Sequence, residues 1–168
     1  EKLGLFKNHE FLNDFFHDMT DPILEYKGTI YQYVGDEVVL TWKPEDGIEY
    51  NNCINLFFAI QNKILLKKEY YLERYGVYPE FKAGIHIGPV ITGEMGEIKK
   101  DIVYHGDTIN TAARIQAECN NYKKRVLISE ELNNELDISG NYNVESMGNI
   151  ILRGKERELE LFAVEEKR

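Results

Sequence analysis

The sequence predicts an α/β chain, an α+β sandwich with helices packed on a largely antiparallel sheet. Three features carry that reading. Apolar residues recur at helical spacing over 9–26 and again over 51–75. Two apolar runs fold around a Gly35-Asp36-Glu37 centre in TIYQYVGDEVVLTW, the pattern of an antiparallel hairpin. Short strand-like runs then alternate with helical ones as far as residue 164.

The first helix has Phe11, Leu12, Phe15, Phe16, Met19, Ile23 and Leu24 on its apolar positions. Pro22 falls inside it, so a kink or break near Thr20 is expected. Lys27-Gly28 ends it, with Gly28 as the left-handed residue. Strands at 29–34 and 38–42 follow. KPEDGIE reads as a loop. One long helix is expected over 51–75, with Ile54, Phe57, Phe58, Ile64, Leu65 and Leu72 as its stripe and Gly76 as its stop. A strand at 81–87 turns at Gly88-Pro89 into another at 90–94. GEMGEIKKD is a polar loop, and 102–105 is extended. Asp107 is a good N-cap for a helix from Thr108 to about Cys119. RVLIS is a strand. Ser129 opens a short helix to 136 with an imperfect capping box, since Leu132 holds the position of the usual Glu or Gln. Three short strands, 141–146, 150–152 and 158–164, finish the chain.

Helix, hairpin, helix, strand is a ferredoxin-like repeat without its first strand. That strand is central, and its loss leaves two edges with unpaired backbone groups. The expectation is an N-terminally truncated single domain, 1–168, whose missing strand comes from residues before Glu1, another segment or another chain.

Bulk properties narrow the function. The 168 residues suit one domain with a sizeable core. A net charge of −9 argues against broad electrostatic binding to nucleic acid or anionic membrane, although a few local cations and a metal still hold a polyphosphate. No apolar stretch approaches the roughly 20 residues that span a bilayer. Cys53 and Cys119 lack metal-ligand spacing and read as two reduced thiols of a cytoplasmic domain. The aromatic residues Phe11, Phe15, Phe57 and Phe58 are core. GIHIGPVITGEMG has no Lys-Ser/Thr and runs into no helix, so it is not a phosphate-cradling loop. Gly84, Gly88 and Gly93 instead permit tight packing and turning, and His86 reads as a satisfied core or interface histidine.

YQYVGDEVVLTW, FKAGIHIGPVITGEMG and YHGDTINTAARIQ, in that order and at these intervals, resemble the class III adenylate/guanylate cyclase catalytic domain. IILRGKERELELFAV extends the resemblance to Val164, and GDTINTAAR is its most specific part. The resemblance implies the ferredoxin-like palm core of that family. It implies a lyase that converts ATP to 3′,5′-cyclic AMP and pyrophosphate with two divalent ions, Mg²⁺ or Mn²⁺, at a homodimer interface. Asp36 matches one of the two metal carboxylates, and hard oxygen ligands suit such ions; the second sits on the missing strand. Glu37 points away from Asp36 by strand alternation and receives no role. Asn110 and Arg114 share a helix face. They match the residues that orient the ribose and stabilise charge on the α-phosphate, acting across the dimer interface. Arg153 matches the basic residue on the terminal phosphates, with Lys155 second.

Base reading departs from the family. Gln32 stands where adenylate cyclases usually have Lys and guanylate cyclases Glu; Val103 stands where Asp or Thr reads adenine. A Gln amide pairs with adenine and, flipped, with guanine. Absence of the guanine-type Glu favours ATP; Asp101 and His105 are nearby polar groups that could compensate. Two alternatives stay open: a guanylate cyclase, and a catalytically inactive cyclase-homology module that dimerises or senses nucleotide. The diguanylate cyclase palm does not match, because its Gly-Gly-Asp-Glu-Phe tip is absent.

Overall fold

The protein is described by a computed structural model over residues 4–95, 101–138, 140–152, 154 and 157–167. It divides into two units, Glu1–Phe81 and Lys82–Arg168.

In the first unit α1 (Leu5–Glu25) begins four residues earlier than predicted and runs through Pro22 without the expected break. The proline stands one turn from the end, so only one intrahelical bond is forfeited. Lys27, not Gly28, takes the left-handed conformation, with φ 57°. Gly28 is small for another reason: a side chain there would start 3.3 Å from Ile23 and Trp42. The hairpin is β1 (Thr29–Val34) and β2 (Glu37–Thr41). KPEDGIE is not a loop. Pro44 opens α2 (Pro44–Ile48), where its missing N–H costs nothing. A 3-10 turn follows at Glu49–Asn51. The predicted long helix is two, α3 (Asn52–Leu66) and α4 (Lys68–Tyr75), broken at Lys67 and stopped by left-handed Gly76. Leu65 and Leu72, assigned to the apolar stripe, are exposed.

That break lets α4 meet α1 through polar groups. The Lys67 ammonium donates to both Asp18 oxygens at 2.6 and 2.7 Å, and the Tyr71 hydroxyl donates to Asp18 at 2.7 Å. Tyr70 and Tyr75 donate to Asp14 at 2.7 and 2.6 Å. Asp18 is 4% exposed, and burial of a carboxylate is tolerable only with such partners. Beside this network lies the core of Phe15, Met19, Ile23, Leu56, Ile60 and Ile64. Phe57 and Phe58 are buried as expected and Phe11 is half-buried. Cys53 is buried and free, its thiol pushed up to about 12 by burial.

In the second unit a four-stranded sheet has the order β3-β6-β8-β7. β3 (Ala83–Ile85) pairs parallel with β6 (Val126–Ser129), and β8 (Glu158–Glu166) is antiparallel to both β6 and β7 (Tyr142–Ile151). The predicted strands 141–146 and 150–152 are one strand, carried past Met147 by a bulge with Gly148 at φ 80°. β4 (Ile91–Met95) and β5 (Asp101–His105) form a separate hairpin. The polar loop predicted at 93–101 is therefore strand at both ends, and 96–100 lie outside the described residues.

Helix α5 (Thr108–Tyr122) covers the sheet, with Ile115 and Cys119 packed on Leu127, Leu161 and Ala163. Cys119 is also buried and free, its thiol pushed up to about 11 chiefly by burial. Asp107 is not the capping side chain expected. Its backbone is already helical, with φ −87° and ψ −7°, whereas a capping residue needs an extended one. Its carbonyl accepts the Thr111 amide and hydroxyl at 2.8 and 2.9 Å. Ser129 caps α6 (Glu130–Glu135) by accepting the Leu132 amide at 3.3 Å. A side chain on Gly84 would fall on the backbone of Ala112 and Gln116, so β3 and α5 approach at a distance only glycine permits. Gly93 shows no such constraint among the described residues, none of which would lie within 4 Å of its side chain.

Gly84→Ala should therefore lower stability by about 1–3 kcal/mol, the usual range for overpacking, while Gly93→Ala stays near neutral in chemical denaturation. A second expectation concerns acid. Burial pushes the Asp14 carboxyl up, but the Tyr75 and Tyr70 hydroxyls, then Arg74 and Lys67, outweigh it and hold it below the ordinary carboxylate value. A depressed pKa contributes stability above the unfolded value, lost as pH falls through the folded one. Wild type should lose stability below about pH 4, and Asp14→Asn, less stable at neutral pH, should lose less over that window.

Candidate active site

The hairpin presents its residues through one irregularity. Val34 pairs with Glu37, so the loop is the two residues Gly35 and Asp36, with Gly35 at φ 63°. A left-handed glycine at the first loop position is what such tight turns require. Asp36 is exposed at the tip. Ile30 pairs with Leu40, yet Gln32 pairs with Val39, which makes Tyr31 an extra residue on β1. Directly opposed residues share a face. Ile30, Leu40 and Val38 pack on the core, and Tyr33 stacks 4.7 Å from Phe16. Gln32 is thus turned to the outer face, exposed, with Val34, Glu37 and Val39. Strand alternation counted through Tyr31 would have placed Gln32 with Ile30. Glu37, given no role from the sequence, shares the Gln32 face; Asp36 belongs to the turn and to neither face.

Helix α5 carries the other residues. Asn110 is exposed and Arg114, one turn on, is half-buried. The Arg114 guanidinium lies over Gly154, in the turn between β7 and β8. A side chain on Gly154 would start 3.4 Å from Nη2, 3.7 Å from Cζ and 4.0 Å from Nη1. Among the described residues no carboxylate is ion-paired with Arg114. At the head of α5 a cleft of about 360 Å³ is lined by His86, Pro89, Ile91, Gly106, Asp107, Thr108 and Thr111. His86 Nδ1 is 2.8 Å from the Ser129 hydroxyl, the satisfied histidine expected. The Thr108 hydroxyl donates to the Pro89 carbonyl at 2.7 Å, and a side chain on Gly88 would start 2.7 Å from that hydroxyl. The Gly88-Pro89 turn is thereby locked to the first turn of α5.

The structure thus brings Asn110 and Arg114 together on one helix, and Asp36 and Gln32 together on one hairpin. Arg153 and Lys155 lie outside the described residues; of this stretch Gly154 is described, and it is Gly154 that meets Arg114. Val103 is placed by its backbone alone, opposite Gly93, and so are Asp101 and His105. Among the described residues no group of three or more His, Cys, Asp or Glu gathers as for a metal ion. Asp36 has the right chemistry for one hard-oxygen ligand of a divalent ion.

Residues 6–166 match the family profile of the adenylate and guanylate cyclase catalytic domain. The chain belongs to that family. It is 32% identical over 164 residues to "Adenylate cyclase 2" of Rhizobium meliloti (strain 1021), across 98% of this chain and 45% of that protein. It therefore spans under half the length of that curated relative. Its fold is similar to the adenylyl cyclase CyaB from P. aeruginosa, with a TM-score of 0.81 at 21% identity over 99% of this chain and 86% of the other. The guanylyl cyclase Cya2 shares it too, with a TM-score of 0.79 at 20% identity over 96% and 82%. Among the described residues no helix of this cyclase domain is long and apolar enough to cross a membrane.

The bulge generates a test. Deleting Tyr31 from the cyclase domain should leave every other hairpin pair on its face and keep the melting temperature within a few degrees. Deleting Val39 from the opposite strand should flip the faces beyond it and lower the melting temperature sharply.

Proposed function

We propose that this cyclase domain converts ATP to 3′,5′-cyclic AMP and pyrophosphate at active sites formed where two copies of the chain meet. The observation that carries the reading is the exposed face of α5. Arg114 is a permanent cation, half-buried, with no carboxylate to neutralise it among the described residues. A planar donor fork left in that state is suited to a phosphate. The 32% identity to an adenylate cyclase along nearly the whole chain supports the same reaction. ATP is favoured over GTP because Gln32 is not the guanine-type Glu; its amide, exposed on the outer hairpin face, is placed to meet a base.

In this reading the ribose 3′-oxygen bonds to the α-phosphorus as the bridging P–O bond breaks. Pyrophosphate leaves with the bond pair, and the hydroxyl proton passes to water. Asn110 orients the ribose. Arg114 meets the charge that develops on the α-phosphate, and Arg153, with Lys155 second, holds the terminal phosphates. Gln32 reads the base and Val103 packs against it. Asp36 helps to hold two divalent ions, Mg²⁺ or Mn²⁺, which supply Lewis-acid stabilisation when bound. A nucleotide substrate of this kind implies a cytoplasmic setting.

Cyclic nucleotide formation from ATP and GTP, with Mg²⁺ or Mn²⁺, tests the proposal on the intact protein. The expected result is cyclic AMP. Arg114→Ala should lower kcat about 10²–10³-fold with KM little changed, the usual cost of one transition-state donor. Asp36→Ala should remove metal-dependent turnover. Cyclic GMP alone would make it a guanylate cyclase. No cyclic product from a metal-loaded dimer would favour the inactive, dimerising module.

A further inference from the structure

Arg114 has a feature that its place on α5 does not explain. Its guanidinium rests against the one residue of the β7–β8 turn that has no side chain. Gly154 has φ 74°, so the turn already favours glycine. Yet turn geometry alone says nothing about what faces the missing Cβ. At Gly148, another left-handed glycine, which lies in β7, no described residue comes within 4 Å of that position. At Gly154 the guanidinium does, with Cζ and both terminal nitrogens between 3.4 and 4.0 Å. Three atoms of a planar group at nearly equal distances mean that its face, not its edge, is turned to the glycine. The N–H donors of a guanidinium lie in its plane, so this contact leaves them directed sideways and uncovered.

We propose that Gly154 is a positioning residue for Arg114: it gives the guanidinium a bare backbone surface to rest on and keeps any side chain from covering or pairing with it. The proposal rests on Arg114 acting at the α-phosphate, as inferred above. A methyl at 154 would make ordinary contact. A longer group carrying polar atoms would compete for the guanidinium, and a carboxylate would neutralise it. The glycine of LRGKE therefore serves the reaction as well as the turn.

The test uses Asp and Asn, which have the same shape and tolerate left-handed backbone better than other residues with side chains. Turnover of the intact protein would be compared for wild type, Gly154→Asp, Gly154→Asn, Gly148→Asp and Arg114→Ala, with Gly154→Ala marking turn strain alone. Gly154→Asp should lower kcat more than about tenfold, equivalent to about 1.4 kcal/mol of barrier, with KM within about twofold. Gly154→Asn should cost less, Gly154→Ala should lose only what turn strain removes and less than Gly154→Asp, and Gly148→Asp should stay near wild type. Introduced into Arg114→Ala, Gly154→Asp should cost nothing further, because the group it acts through is gone.

Three results would overturn the proposal. One is wild-type kcat in Gly154→Asp while Arg114→Ala is impaired. Another is a Gly154→Asp loss that persists without Arg114. The third is an equal loss in Gly148→Asp or Gly154→Ala. Full activity in Arg114→Ala would instead remove the site assignment itself, and this inference with it.

Discussion

A side chain absent from Gly84 sets the position of the helix that carries Asn110 and Arg114, the candidate site residues of the second unit. Because a Cβ there would fall on the backbone of Ala112 and Gln116, β3 and α5 lie closer than any other residue would allow. Ile115 and Cys119 are then driven into the sheet, fully buried, and α5 is held in register along it. Asn110 and Arg114 ride on the remaining surface. The Thr108 hydroxyl on Pro89 fastens the head of the helix, and the β7–β8 turn meets it at Arg114. Small residues thus do at three places what side chains do elsewhere: Gly84 fixes depth, Gly88 admits Thr108, and Gly154 faces the cation.

The first unit solves a different problem with charge. A helix broken at Lys67 would expose backbone groups and lose its apolar phase. It is instead attached to α1 by Lys67, Tyr70, Tyr71 and Tyr75 on Asp14 and Asp18. Burying Asp18 removes it from water, and three hydrogen bonds from two side chains offset that cost. The result is a firm support under a short hairpin. Without support, a two-stranded hairpin is marginal.

Much of this was legible in the chain. The hairpin around Gly35-Asp36, though with a turn one residue shorter than the Gly35-Asp36-Glu37 centre expected, the helix after Gly106-Asp107, the Ser129 cap and the aromatic core follow from local patterns, because turn chemistry and periodic burial act over a few residues. The family was legible too, since GDTINTAAR places residue types at spacings that ordinary folding does not demand. What failed, failed for one reason. The long helix over 51–75, the loop at KPEDGIE, the Asp107 cap and the division of 141–152 into two strands all assumed that local preference prevails. At Lys67 a buried aspartate on another helix prevailed. At Met147 a bulge joined two strands into one. At Tyr31 a single extra residue sets the face on which Gln32 stands, which no local pattern had assigned.

The sequence by itself determined which residues are available for chemistry: Asp36 at a turn, Asn110 and Arg114 one helical turn apart, and Gln32 on a strand. Spacing along the chain is enough for that, because helix and strand have fixed periods. Only the tertiary structure decided where those groups face and what surrounds them. Gln32 points outward because of a bulge, and Arg114, with no ion-paired carboxylate among the described residues, lies against Gly154 of the β7–β8 turn. Both depend on segments far apart in sequence meeting at atomic distance, and no local period encodes that.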